Sequence, residues 1–332
     1  STITIAAIVN PTARILYVSD DTGNNSTGDG SLSKPFKTIQ KGIDAATAFP
    51  ATYNTPIMVV IEPSTSGSKY TENLTISQQG ITLASSGGPT RTDLVTIFGT
   101  VTVNLTGTAG GGNFTASQNN FYMYGFQIAP SGANKALVFS GSTFQRLFLS
   151  NCTVGQSQTD SAISHTNTGS SSGSFSTITV RDCDMKNNSA TNATINHTAG
   201  KIFIAGANPS ITNSTAGGKA INSSGDVNTS LTLNNGSVTG LYTNSGTGSS
   251  IFTSTSFTAA TSGAILALSS VSNAGGTITA VQTLFNIGTG AGAYIAKGTG
   301  VLVHALNAFV SNKNLQNTLT IVPLAITPTT GA

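Results

Sequence analysis

Short apolar strands separated by polar turns recur along this chain. Nine times between residues 95 and 312, an alternating apolar strand is followed by a tight polar turn and then by a second apolar position. The clearest copies begin at Leu147, Ile178, Ile202 and Leu231, at spacings of roughly 24 to 31 residues. One such unit cannot bury its apolar side alone and must stack on its neighbours. The pattern therefore predicts an all-β solenoid, a single-stranded parallel β-helix of about nine to eleven coils.

The N-terminal part of the chain departs from this repeat. The sequence Lys34 to Phe49 is typical of one amphipathic helix, because Pro35 suits a first helical turn and Phe36, Ile39, Ile43 and Ala46 recur at helical spacing. The open end of a stacked β-coil exposes an apolar cross-section that would otherwise aggregate. We therefore expect this helix to cap the first coil.

The resulting domain prediction has four parts. They are an N-terminal arm (1–14), an N-terminal strand and capping helix (15–54), the parallel β-helix (55–312), and a C-terminal strand and tail (313–332).

Composition constrains the surface of the predicted rod. Hydrophobic residues make up 38% of the chain, enough for a sizeable core, but charged residues only 8%, against a usual value of about 25%. Ser and Thr together number 93 of 332 residues. Because a surface of hydroxyls, amides and glycine has little charge repulsion, we expect it to be covered in part by sister subunits or other capsid proteins.

Charge and hydropathy argue against two classes of partner. The net charge of +3 is spread thinly, without a basic run and without Trp, so nucleic-acid binding is not indicated. No stretch approaches the roughly 20 apolar residues that a membrane span requires, so no spanning helix is expected.

The two cysteines occupy the same place in consecutive repeats. Cys152 and Cys183 should therefore lie one above the other, in coils about 4.8 Å apart. The favoured interpretation is a pair of buried, reduced thiols that act as small apolar fillers, and a disulfide remains the alternative. Neither a CxxC pair nor clustered His accompanies them, so a metal site is not indicated.

A family resemblance appears in the first quarter of the chain. The succession GDGSLSKPFKTIQKGI, IMVVIEP, YTENLTI and ITLASSG resembles the start of the pectin-lyase-like, right-handed parallel β-helix superfamily, over residues 15 to 107. The resemblance implies the right-handed coil and does not select a function, since that superfamily holds pectate lyases, pectin methylesterases, polygalacturonases, phage tailspikes and non-enzymatic virion proteins. The C-terminal segment TLTIVPL also resembles the ends of large-virus and phage surface proteins.

Carboxylates limit the catalytic interpretations, because the polysaccharide enzymes with this fold use them as acid, base or calcium ligand. Only eleven Asp and Glu occur, and none follows Asp226. The best catalytic candidates are Asp182 and Asp184, expected on the same side of a strand beside Arg181, where they could hold a cation or a uronate. The alternative is that the pair decorates an exposed turn and neutralises its basic neighbours.

Comparison with the enzyme motifs of the superfamily removes most other candidates. Polygalacturonases would show an Asp-Asp block within the repeats, whereas the Asp20 and Asp21 pair lies outside them. Pectin methylesterases would show an Arg-Pro-Trp segment, and this chain has no Trp. The looser pattern of pectate lyases leaves Arg181, Asp182 and Asp184 as candidates.

A second acidic group lies in a Gly-rich loop near the N-terminus. Asp20, Asp21 and Asp29, with Asn24, offer the oxygen ligands that calcium takes, although their spacing is not that of an EF-hand. Ordinary turn residues are the favoured interpretation, and calcium is the only cofactor that the sequence suggests.

The histidines form no catalytic motif with Ser, Cys or Asp. His165 and His197 are about one coil apart and are expected to stack in a loop wall beside Asp160. His304 is expected on the outer side of a strand whose Val301 and Val303 point inward.

Together these observations favour a structural surface protein of a virus particle, such as a spike, fibre, vertex or minor capsid protein. It would act in assembly or in attachment to cell-surface carbohydrate. The alternatives are an extracellular, carboxylate-dependent polysaccharide lyase or glycoside hydrolase, including a tailspike-like depolymerase, and a secreted adhesin.

Overall fold

The fold is a solenoid of three parallel sheets. The computed structural model describes residues 14–51, 56–65, 70–87, 95–108, 120–215, 217–258, 271–273, 275–286, 295–297, 301–305 and 309–311. Almost all of the predicted N-terminal arm and all of the C-terminal tail lie outside these residues. Each coil runs through sheet 3, then sheet 1, then sheet 2, and the next coil adds one strand to each sheet.

The strands have the following bounds. Sheet 1 has 11 strands: β1 Ile15–Val18, β2 Ile57–Ile61, β4 Ile81–Ser85, β7 Asn120–Tyr124, β10 Arg146–Ser150, β15 Thr177–Arg181, β18 Lys201–Ala205, β21 Ser230–Asn234, β24 Ser249–Thr253, β27 Thr277–Val281 and β30 Val301–Ala305. Sheet 2 has nine strands: β5 Val95–Ile97, β8 Phe126–Ile128, β11 Thr153–Val154, β16 Asp184–Asn187, β19 Ser210–Asn213, β22 Ser237–Thr239, β25 Ser256–Thr258, β28 Leu284–Asn286 and β31 Phe309–Ser311. Sheet 3 has nine strands: β3 Leu74–Gln79, β6 Val101–Thr108, β9 Leu137–Phe139, β12 Ile163–His165, β17 Ile195–His197, β20 Lys219–Ser223, β23 Leu241–Asn244, β26 Val271–Asn273 and β29 Ile295–Lys297. A short antiparallel hairpin joins β13 Ser170–Ser171 to β14 Ser174–Phe175.

The core forms because the strands stack in register. Leu147 pairs with Phe121 in the preceding coil and with Ile178 in the following one, and all three side chains are buried. Since side chains alternate between the two faces of a strand, the apolar positions of successive coils share one interior channel. The predicted parallel β-helix is confirmed.

One helix, α1 (Ile39–Thr47), covers the first coils. It buries Ile39, Ile43 and Ala46 against the N-terminal strands. The helix starts later than predicted, because Thr38 caps it by accepting a hydrogen bond from the Lys41 amide. Phe36 instead bridges to Val18 in an extended segment. Among the described residues, no helix is long and apolar enough to cross a membrane.

Glu72, which lies in a neighbouring coil, caps the N-terminus of α1 with its carboxylate. Its two carboxylate oxygens accept hydrogen bonds from the Ile39 and Gln40 amides, at 2.7 and 2.9 Å. Burial raises the pKa of this carboxyl, and the two amide bonds oppose that rise. A negative charge at a helix N-terminus is favourable, so Glu72 ties the helix to the coil it covers.

A left-handed corner joins sheet 1 to sheet 2 in several coils. Asn151, Asp182 and Asn235 have φ values of 52°, 54° and 54° there. Each of the three comes directly after a strand of sheet 1, so all three occupy one position of the repeat. Asn and Asp tolerate this conformation better than most residues, which explains their place in the repeat.

The cysteines follow this corner and lie in adjacent coils. Cys152 and Cys183 are buried free thiols, and the Cys152 amide donates a hydrogen bond to the Cys183 sulfur at 3.3 Å. Three coils beyond Cys183, the same column contains the buried Thr255, whose hydroxyl donates to the Leu233 carbonyl. The thiols thus act as interior fillers, as predicted.

The prediction for His165 and His197 was wrong about which way these two residues face. His165 and His197 do stack, with ring centroids 5.4 Å apart, but inside the coil rather than in a loop wall. The predicted orientation of the Val301, Val303 and His304 side chains lies outside the described residues, although the backbone of β30 pairs with that of β27.

Candidate functional site

A polar cleft of about 270 Å³ lies on the outer side of sheet 3. Its lining consists of Lys135, Asp160, Ser161, Thr191, Asn192, Ala193, Asn196, Lys219 and Asn222. Most of these residues lie at or just before the points where four successive coils enter strands β9, β12, β17 and β20. The stacking of the coils therefore gathers residues that are far apart in sequence.

The floor of the cleft is an amide ladder between coils. Ile195 and Ile221 point into the core, so the alternation of the strands turns Asn196 and Asn222 outward. The Asn222 side-chain amide donates to the Asn196 carbonyl oxygen at 3.1 Å. Thr243 in the following coil donates to the Asn222 carbonyl oxygen at 2.8 Å. These bonds hold both amides in one orientation and leave other N–H groups for a ligand.

The rim of the cleft carries charge of both signs. Lys135, Lys219 and Asp160 are all half-buried. One carboxylate oxygen of Asp160 accepts a hydrogen bond from the Ser161 amide at 2.7 Å, which orients the carboxylate. Asn192 donates from its side chain to the Thr159 carbonyl at 3.1 Å.

The chemistry of this cleft suits a hydroxyl-rich ligand. Amides, hydroxyls and a carboxylate are the groups that bind sugar hydroxyls, and two ammonium groups can bind an acidic substituent. The apolar contribution to the lining comes mainly from Ala193.

The predicted catalytic candidates lie outside this cleft and are divided by a corner. Arg181 ends β15 in sheet 1, Asp182 forms the left-handed corner, and Asp184 begins β16 in sheet 2. Asp182 and Asp184 are therefore not on one strand, contrary to the prediction. Asp182 accepts a hydrogen bond from the Ala207 amide of the next coil at 2.6 Å, and Asp184 accepts one from the Ser210 hydroxyl.

The predicted metal candidates are distributed over one loop. Asp21 binds the Thr65 amide and hydroxyl, both at 2.7 Å. Asp29 accepts a hydrogen bond from the Ser31 amide at 2.9 Å, and its bonds to Ser31 lower its pKa. The Asp20 amide donates to the Tyr70 hydroxyl at 3.0 Å. Within the described ranges, no group of three or more His, Cys, Asp or Glu side chains is placed to hold a metal ion.

Sequence reasoning missed the cleft because its residues are ordinary polar types without a motif. A signal was nevertheless present. When the repeats are aligned on the strands of sheet 3, Asn196 and Asn222 share one outward position. Such an alignment requires the exact register, which the variable loops between repeats conceal.

Comparison with known proteins supports the fold. No family model and no curated protein sequence matches the chain. One solved structure that resembles it is a pectin methylesterase from Aspergillus niger, in penultimately deglycosylated form. The two are 14% identical, the match covers 93% of this chain and 89% of that chain, and the TM-score is 0.50. A likeness at this identity concerns the backbone and not the activity. The chain thus has a parallel β-helix fold, as that structure does.

Proposed function

We propose that this β-helix is a structural attachment protein on the surface of a virus particle, and that it binds cell-surface carbohydrate in the cleft on sheet 3. The observation that carries the binding proposal is the cleft itself, with its amide ladder and its two half-buried lysines. The proposal that the protein is part of a virus particle is supported by its low content of charged residues, 8% of the chain, which favours packing against other subunits.

The arrangement favours an acidic sugar over a neutral one. Asn196 and Asn222 supply hydrogen bonds to hydroxyl groups, which any pyranose offers. Lys135 and Lys219 can form ion pairs with a carboxylate or sulfate substituent, and these are stronger than the hydrogen bonds that the same ammonium groups donate to a neutral hydroxyl. Asp160 is the single carboxylate of the lining and can accept from sugar hydroxyls.

Substitution of the two lysines tests this proposal. In the Lys135→Gln, Lys219→Gln double variant, affinity for an acidic oligosaccharide such as oligogalacturonate is expected to fall by about 100-fold or more, since hydrogen bonds to charged groups contribute about 1.5–3 kcal/mol each and two are lost. Affinity for a neutral oligosaccharide is expected to change little. Isothermal titration calorimetry of both ligands measures the two effects separately.

Two matched variants sharpen the comparison. Lys186→Gln removes one lysine from β16 in sheet 2, outside the cleft, and should leave binding unchanged. Asn222→Ala should weaken acidic and neutral ligands alike, because it breaks the amide ladder. Equal losses in the double variant and in Lys186→Gln would mean that general charge, not the cleft, attracts the ligand.

The polysaccharide-degrading alternative is separated by an assay for products. Incubation with acidic and neutral polysaccharides, with and without calcium, would release reducing ends or unsaturated uronates if the chain were a hydrolase or a lyase. Loss of such an activity in Asp182→Asn or Asp184→Asn would assign it to the corner between sheets 1 and 2. Mass spectrometry of purified particles and of culture medium separates a virion protein from a secreted adhesin.

A further inference from the structure

A line of polar side chains runs inside the coil along sheet 3. One inward column reads, coil by coil, Val103, Phe139, His165, His197, Ser223 and Asn244, and all six side chains are buried. The column thus changes from apolar to polar at His165. We call His197, Ser223 and Asn244 the polar seam.

The polar seam contains hydrogen-bonding atoms that no protein group satisfies. His197 Nδ1, Ser223 Oγ and Asn244 Oδ1 are buried without a protein partner. Leaving a buried polar atom unpaired costs about 1–3 kcal/mol, so three in consecutive coils require an explanation.

The other atoms of the same side chains show which hydrogen bonds are missing. His197 Nε2 lies 3.1 Å from the Gly200 carbonyl oxygen, which can only accept, so Nε2 carries the proton and Nδ1 is an acceptor. The Asn244 side-chain nitrogen donates to the Gly248 carbonyl oxygen at 3.3 Å, so Oδ1 is an acceptor. The Ser223 hydroxyl has one proton and can serve one acceptor at most. The polar seam therefore has more acceptors than donors.

We infer that ordered water molecules occupy the polar seam, one in each gap between neighbouring coils. Neighbouring coils lie about 4.8 Å apart, and the three unpaired atoms have no partner in the adjoining coils. A bridging water suits such a gap, because its two hydrogen bonds of about 2.8 Å can span it. Each water supplies two donors, which corrects the excess of acceptors. The Ser223 side chain is much smaller than the imidazole of the preceding coil, so it fills less of the interior and leaves space for water. A buried water needs two to four polar partners, which the side chains of the polar seam supply.

A metal ion or other cation fits the polar seam poorly. The three acceptors are spread over three coils, which is too far for one ion to contact them all. Strands β12, β17, β20 and β23 contain no Asp or Glu to neutralise a cation, and an unpaired buried charge is far more costly than a neutral ligand. A neutral ligand with both donors and acceptors matches this site, and water has that chemistry.

A high-resolution crystal structure tests the inference directly. Discrete density peaks are expected 2.7–3.2 Å from His197 Nδ1, Ser223 Oγ and Asn244 Oδ1. The absence of such peaks between the side chains of the polar seam would overturn the inference. A peak with an anomalous signal, or with contacts near 2 Å, would also overturn it, because it would identify an ion.

The Ser223→Ala variant provides an independent test by the sign of its effect. In a hydrated seam the substitution deprives a water of a partner, and Tm is expected to fall by about 2 °C. In a dry seam it removes an unsatisfied hydroxyl, so Tm would rise and the inference would fail. Thr255→Val is the matched control, because it removes a buried hydroxyl that already donates to the Leu233 and Thr253 carbonyls and must therefore lower Tm.

Discussion

Acidification from pH 7 to pH 4 is expected to lower the free energy of unfolding by on the order of 5 kcal/mol. The cause is the pair of stacked, buried imidazoles, His165 and His197. Desolvation lowers the pKa of His165 to about 3, with a further decrease from the neighbouring His197, and lowers the pKa of His197 to about 4. In the unfolded chain both would titrate near 6.5.

Proton linkage determines whether the free energy of unfolding rises or falls with pH. Between pH 6.5 and pH 4 the unfolded chain binds protons that the folded coil rejects, so stability is complete above pH 6.5 and is lost as the pH falls. Each pKa unit corresponds to about 1.4 kcal/mol for each histidine. Urea denaturation at a series of pH values measures the slope.

A phenylalanine variant isolates the histidine contribution to this slope. Phe139 already occupies the same column one coil before His165, and its ring packs edge-on against that imidazole at 5.0 Å. We therefore expect His165→Phe to fold and to lose about half of the pH dependence. The variant also loses the acceptor of the Asn167 amide bond, which costs about 1 kcal/mol at every pH. An unchanged slope in His165→Phe would show that other groups control acid unfolding.

Gly155→Ala is expected to lower the free energy of unfolding by about 2 to 5 kcal/mol. Gly155 has a φ of 80°, in the left-handed region that side chains disfavour. A Cβ at this position would also lie 2.1 Å from the Lys186 carbonyl oxygen and 2.2 Å from the Gln158 side-chain nitrogen. The Gln158 amide donates to that same carbonyl at 2.9 Å, so the new methyl group would force two coils apart.

Gly132→Ala is the matched control for this prediction. Gly132 has a similar φ of 64°, but a Cβ there would meet no atom within 4 Å. The substitution should therefore cost only the backbone strain, about 1–2 kcal/mol. Thermal and urea unfolding of the two variants measure the difference, which equals the contribution of the close contact between coils. Equal costs would show that the packing around Gly155 relaxes easily.

The parallel β-helix could be predicted because its main cause is local in sequence. The alternation of Ile178, Thr179 and Val180 fits a strand with one buried face. Because the same unit of strand and turn recurs along the chain, its copies must stack to bury their apolar sides. The start of α1 was misplaced by four to five residues, because the bridge between Phe36 and Val18 is a tertiary contact.

The functional residues were much less predictable. Arg181, Asp182 and Asp184 attracted attention because charges are scarce in this chain, and the corner then separated the two carboxylates. Lys135 and Lys219 lie in different repeats and carry no motif, so only the stacking of the coils brings them to one cleft.

The sequence by itself thus determined the type of coil, the place of Cys152 and Cys183 in adjacent coils, and the approximate number of layers, because these follow from a periodic pattern of side-chain polarity. Tertiary structure alone decided which residues of different coils become neighbours. It turned His165 and His197 into the core and assembled the cleft around Asn196 and Asn222. The physical reason is register: a shift of one residue in a strand exchanges its inner and outer faces, and the pairing between coils sets that register.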